Sequence, residues 1–215
     1  MKRVLLSKNF YFSVLGVCLI NLVNLADELQ LIGAGNHPVF YYFIYRHGLG
    51  GISVIVTVFA VLPFALSHAE EMENGYFKAS YPRSGAVKYA WNKLTYTALS
   101  AFLVFLSGYA LLIAVLGSFN PMFPDLTVAE FEQRYIGRTY MVMLAEKHSM
   151  LFFLLQAVHE AVSAAFLASA TLVISLFIKN KYLLLCFPVI LIKAWEVLSG
   201  LLKLPAFLCW TQFYN

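Results

Sequence analysis

Five stretches of this chain are close to the length that crosses a bilayer as helix, and they hold almost no charge. They run roughly over residues 10–26, 51–69, 94–117, 149–178 and 182–202. A hydrocarbon layer about 30 Å thick takes about 20 residues of α-helix at 1.5 Å each. Inside it every backbone N–H and C=O needs a partner from the chain itself, and no closed barrel pattern is present, so the runs must be helices. The expected fold is an all-α polytopic membrane protein, with five transmembrane helices in one transmembrane domain over residues 1–215. Composition agrees. Hydrophobic residues make up 61% and charged residues 12%, with a mean hydropathy of +0.75, where a soluble domain is about one quarter charged.

The runs differ in quality. The first is short, interrupted by Asn21 and Asn24 and closed by Asp27-Glu28. The second carries Pro63 near its end, a site for a kink. The fourth is long enough to project from the bilayer, and the fifth has Pro188 in its first half. Cys18, Cys186 and Cys209 lie in or beside apolar runs without metal-ligand spacing, and read as small buried hydrophobes. Leu15-Gly16-Val17-Cys18 faintly follows a lipoprotein cleavage box, but Val17 stands where that box wants a small residue. The segment therefore reads as an uncleaved first span.

Basic residues set the orientation. With the N-terminus inside, Lys2, Arg3, Lys8, Lys78, Arg83, Lys88, Lys93, Lys179 and Lys181 are cytoplasmic. Arg46, Arg134, Arg138, Lys147 and Lys203 are then outside, and Lys193 lies within a span. The larger group is inside, as the positive-inside rule requires for the plasma membrane. The +4 formal charge is thus a matter of sidedness and not of nucleic-acid binding. Outside, residues 29–50 are rich in aromatics (Phe40, Tyr41, Tyr42, Phe43, Tyr45), which suits an interfacial segment. Thr127-Val128-Ala129-Glu130 follows a capping-box pattern, predicting an extracellular helix over about 127–147.

The cytoplasmic connection over 70–93 carries the most specific pattern. It reads Glu70-Glu71-Met72-Glu73-Asn74-Gly75, then Tyr76 and Lys78, a turn at Tyr81-Pro82-Arg83-Ser84, and Lys93 at the mouth of the third span. The layout resembles the loop between the second and third membrane helices of ABC-2 type transporter permeases. Glu73 and Gly75 match that family's acid-and-glycine element, residues 80–84 its small proline-containing turn, and Lys93-Leu94 its basic entry into the third span. The resemblance covers residues 51–117; elsewhere only the hydropathy plan is shared. Members usually have six spans with both termini in the cytoplasm, whereas five runs place Asn215 outside.

The resemblance implies a coupling helix that docks on a separate ATP-binding subunit through Glu70, Glu71, Glu73, Gly75, Tyr76, Lys78, Tyr81, Pro82 and Arg83. It implies a dimer with a second permease copy or a paralogue, two ATP-binding subunits, and export of a peptide, antimicrobial, lipid-like molecule or other hydrophobic cargo. ATP and Mg would be held by the partner, with no cofactor in this chain. No GxxxxGK[ST] pattern occurs in the sequence, so this chain cannot itself supply the ATPase. The plain alternative is a solvated connector between spans.

A rival reading comes from another class. Glu70-Glu71 at the end of a span is similar to the EExxxR motif of CAAX-type intramembrane proteases, with His159 as a partner in a later helix. Gly75 stands where that motif needs Arg. His159-Glu160-Ala161-Val162-Ser163 lacks the second histidine of a zinc-binding His-Glu-x-x-His helix, so no metal site is expected.

Three charges fall inside spans: Glu160, Lys193 and Glu196. Each costs about 2.5–3.5 kcal/mol to insert, so each should face protein, water or another charge. Lys193 and Glu196 are three apart on one helix and can pair locally. Glu160 and Lys193 both lie about 16 Å into their spans, which predicts a structural pair between adjacent helices in preference to a place on the substrate path. Asn21 and Asn24 are expected to hold helices together.

Overall fold

The structure is a computed structural model that describes residues 7–25, 39, 42, 53–63, 85–122, 149–178 and 180–202. Every regular element among them is helical. In chain order these are α1 (Lys8–Asn24), a 3₁₀ segment (Ser53–Thr57) running into the short α2 (Val58–Val61), α3 (Ala86–Gly117), α4 (Ser149–Ile174) and α5 (Lys181–Leu201). Three of them, α3, α4 and α5, are long and apolar enough to cross a membrane.

Local chemistry explains where each element starts and stops. The Ser7 side chain caps α1 by accepting from the Phe10 N–H at 3.2 Å. At 17 residues, α1 rises about 25 Å, short of a full hydrocarbon layer. Within the run over 51–69, the described backbone is not one long helix. Val54, Ile55, Val56, Thr57 and Val58 are consecutive β-branched residues, whose stiff side chains crowd the preceding turn of an α-helix. The chain takes a 3₁₀ path there, and α2 ends two residues before Pro63, which removes a backbone donor.

Helix α3 begins eight residues before the apolar run it contains. Ala86–Leu94 is one continuous helical stretch with the span, so Lys88 and Lys93 lie on helix and not on a connecting loop. Its 32 residues measure about 48 Å, well beyond the hydrocarbon thickness. The overhanging end presents Trp91 and Tyr96 to the surroundings, the residue types that settle at headgroup level. After α4 the backbone turns at residues 175–177, and Asn180 caps α5 by accepting from Tyr182 N–H (3.0 Å) and Leu183 N–H (3.3 Å). So short a connection makes α4 and α5 antiparallel neighbours.

The core gathers on α3, which packs against α4, α1 and α2. Val17, Ala101, Val104, Leu112, Ala161 and Ala168 are fully buried there. Small residues allow the close approach. Ala157, Ala161, Ala164 and Ala168 form one buried stripe along α4, a spacing that lets membrane helices pack by van der Waals contact. A second, smaller cluster of Val54, Leu167 and Ile192 joins α5 to the bundle. Outward positions are as apolar as inward ones: Leu15, Leu19, Leu154, Val162, Phe166 and Val173 are all exposed. A helix bundle that is hydrophobic on both sides is suited to lipid.

At one end of the bundle the chain beyond α1 returns to α3. Val39 N–H donates to the Pro121 carbonyl at 3.0 Å, and Val39 and Tyr42 are buried in the main cluster. Val39 and Tyr42 therefore lie at the end of the bundle where α3 exits.

Candidate functional site

The matched loop residues Glu70, Glu71, Glu73, Gly75, Tyr76, Lys78, Tyr81, Pro82 and Arg83 lie outside the described residues, as do the expected helix over 127–147 and Cys209. What is described is where that loop enters the bundle. Gly85 precedes α3 with φ +75° and ψ 147°, a backbone state that costs any L-residue with a Cβ. The first turns of α3 follow, with Val87, Lys88 and Trp91 exposed and Lys93 buried. Lys93, Thr97 and Ser100 share one buried face of α3. Ser100 returns its hydroxyl to the Thr97 carbonyl at 2.9 Å, whereas the Thr97 Oγ1 has no hydrogen-bond partner.

Glu160 sits on the packed face of α4 and is 5% exposed, flanked by Ala157, Ala161 and Ala164. Its burial meets the requirement that an intramembrane charge face protein. His159 beside it is half-buried. Among the described residues, no three His, Cys, Asp or Glu side chains come together as metal ligands would.

Lys193 and Glu196 form an ion pair on α5, with Lys193 Nζ 2.7 Å from Glu196 Oε2. The three-residue spacing puts both on adjoining turns of one helix face. The partner of Lys193 is thus its own helix neighbour and not Glu160. Side-chain exposure is 47% for Lys193 and 25% for Glu196, so this pair, unlike Glu160, stands on the outside of the bundle. No family model, curated protein or solved structure matches the chain.

The two asparagines of α1 behave differently from expectation. Asn21 donates to the Val17 carbonyl of its own helix at 2.7 Å. Neither side-chain atom of the buried Asn24 has a hydrogen-bond partner. Close packing does the joining instead. A Cβ on Gly108 of α3 would fall 2.7 Å from Val17 Cγ1, and one on Gly16 of α1 would fall on the Phe59 ring of α2. Two hydroxyls within the helices, like the Asn21 amide, bond the preceding turn: Ser13 donates to the Asn9 carbonyl and Thr171 to the Leu167 carbonyl, each at 2.8 Å. Hydroxyls bonded to the preceding turn remove a polar group from lipid without involving a neighbour.

Proposed function

We propose that this chain is the membrane-spanning subunit of an ABC-2 type exporter, driven by a separate ATP-binding subunit. The observation that carries the reading is the matched loop pattern from Glu70 to Arg83, on the side of the membrane where the basic residues are most numerous. The architecture supports it in one further respect. The loop feeds through Gly85 directly into α3, a single 32-residue helix that packs against α1, α2 and α4. A push on the loop is therefore delivered to the most connected helix of the bundle. In this reading α1 and the run over 51–69 complete a five-span subunit, and two such subunits alternate access as ATP closes the partner proteins. The cargo leaves the cell through the paired subunits, while ATP and Mg stay with the partner.

Single cysteines at Lys78, Tyr81 and Arg83, in a background without Cys18, Cys186 and Cys209, test the docking surface. A short bifunctional thiol–amine reagent applied to inverted membrane vesicles is expected to join each of them to an ATP-binding protein. Labelling of these positions by an impermeant maleimide on intact cells would remove both the orientation and the coupling role.

A further inference from the structure

The first turns of α3 carry an exposed polar face. Lys88, Trp91, Asn92 and Thr95 are all exposed and stand at i, i+3, i+4 and i+7, one side of a helix. Lys93 and Thr97 are buried against the bundle instead. The Thr95 hydroxyl donates to the Trp91 carbonyl at 2.8 Å. Among the described residues, no hydrogen bond or ion pair engages the Lys88 ammonium, the Trp91 indole or the Asn92 amide. The face is therefore rich in N–H donors and short of an acceptor for them. Nor does the helix itself account for Lys88. Its 32 residues contain no Asp or Glu, and a lysine in the first turn stands at the positive end of the helix dipole.

Depth narrows the kind of acceptor. The apolar run begins at Leu94, so Trp91 lies about 4.5 Å and Lys88 about 9 Å beyond the hydrocarbon along the helix axis. A headgroup layer is about 5–8 Å thick on each side, which sets the indole within it and the lysine at its outer edge. Below Thr95 the same face continues through Leu99, Phe102, Leu106 and Ala110, half-buried or exposed and wholly apolar. An occupant of the whole face needs an anionic head joined to an apolar tail. Other helices mark the same level. On α1, Lys8 is followed by Tyr11 and Phe12 and then by Leu15 and Leu19, all exposed. On α5, Lys181 is followed by Tyr182, which is 82% exposed. Lysine, then aromatic, then aliphatic is the order expected from water through headgroups into hydrocarbon.

We propose that the Lys88–Trp91–Asn92 face of α3 binds the phosphate headgroup of an anionic phospholipid, with an acyl chain lying along Leu99, Phe102 and Leu106. Lys88 supplies the charge, and the indole and amide N–H groups donate to phosphate oxygens. A zwitterionic lipid brings its own cation beside Lys88 and gains less. One lysine at an anionic membrane surface corresponds to about a fivefold preference. The site goes beyond the exporter reading and does not rest on it, since it requires only that α3 cross the membrane.

The test uses the full chain with Trp195→Phe and Trp210→Phe, leaving Trp91 as the single tryptophan. It is reconstituted in phosphatidylcholine vesicles with a minority of phosphatidylglycerol, and acyl-chain bromine is placed first on the glycerol lipid, then on an equal amount of the choline lipid. Trp91 fluorescence is expected to report about fivefold greater occupancy by the anionic lipid. Lys88→Gln should abolish that preference and Lys88→Arg should keep it. A tryptophan on the exposed side of α4, Phe166→Trp in a Trp91→Phe background, should show none. Equal quenching by the two lipids, a preference that survives Lys88→Gln, or the same preference at Phe166→Trp would overturn the proposal. Displacement of the brominated anionic lipid by inorganic phosphate at constant ionic strength would assign the site to a free anion instead. In the native membrane, a benzophenone side chain at position 92 should give a phospholipid adduct on illumination, and adducts with protein alone would show that another chain covers this face.

Discussion

A methyl group on Gly108 would stand 2.7 Å from Val17 Cγ1, 2.8 Å from Val17 Cβ and 3.3 Å from the Val14 carbonyl oxygen. Val17 is fully buried, and its Cβ cannot swing aside as the end of a long side chain can. Alanine would gain about 1 kcal/mol of helix propensity and lose about 1–3 kcal/mol to overpacking. Gly108→Ala should therefore push α1 from α3 and lower the melting temperature of the detergent-purified protein; an unchanged melting temperature would show that α1 is loosely held. The intramembrane charges make a second prediction at this scale. Lys193 pairs with Glu196, so Lys193→Met should reduce folded yield, and adding Glu196→Gln should recover part of it, because one partner left alone is worse than neither. Glu160→Gln should add independently to Lys193→Met, since residues without a shared partner do not couple. A recovery by Glu160→Gln would reinstate the pairing between helices that depth alone suggested. Depth along a helix is readable from residue counting; the direction in which a side chain leaves the helix is not, and that is why Glu160 and Lys193 looked like partners.

The elements differ in how far composition announces them. The long apolar helices α3, α4 and α5 are plain in the sequence because lipid on one side and core on the other demand the same residues. The early start of α3 is hidden, since Lys88, Asn92 and Lys93 read as a connector although Ala86, Ala90 and Leu94 favour helix. The 3₁₀ path over Ser53–Thr57 was signalled by its β-branched run, which hydropathy does not register. The alanine stripe of α4 was also present in the sequence as Ala157, Ala161, Ala164 and Ala168, a helical spacing that marks a packing face. The loop over 70–84 was read from motif alone. If it acts as a lever on α3, Glu73→Ala and Gly75→Val should leave membrane insertion and ATP hydrolysis intact while abolishing cargo export. Wild-type export by both variants would reduce the loop to a solvated connector.

At the scale of the whole molecule, the chain is a helical membrane protein whose core centres on α3 and whose outer surface is apolar. Bundle and loop make different demands. The bundle needs close packing by Gly16, Gly108 and the alanines of α4, whereas the proposed work needs a partner that spends ATP on the cytoplasmic side. Without an ATP-binding motif of its own, the chain on this account is half of a machine. The measurement that reaches this most directly is ATP hydrolysis by the affinity-purified full chain with whatever stays bound to it, reconstituted in lipid vesicles. The account predicts a co-purifying ATP-binding protein and vanadate-sensitive hydrolysis, both lost when residues 70–84 are replaced by a glycine–serine linker. A well-folded chain that purifies without such a protein and shows no hydrolysis would contradict it.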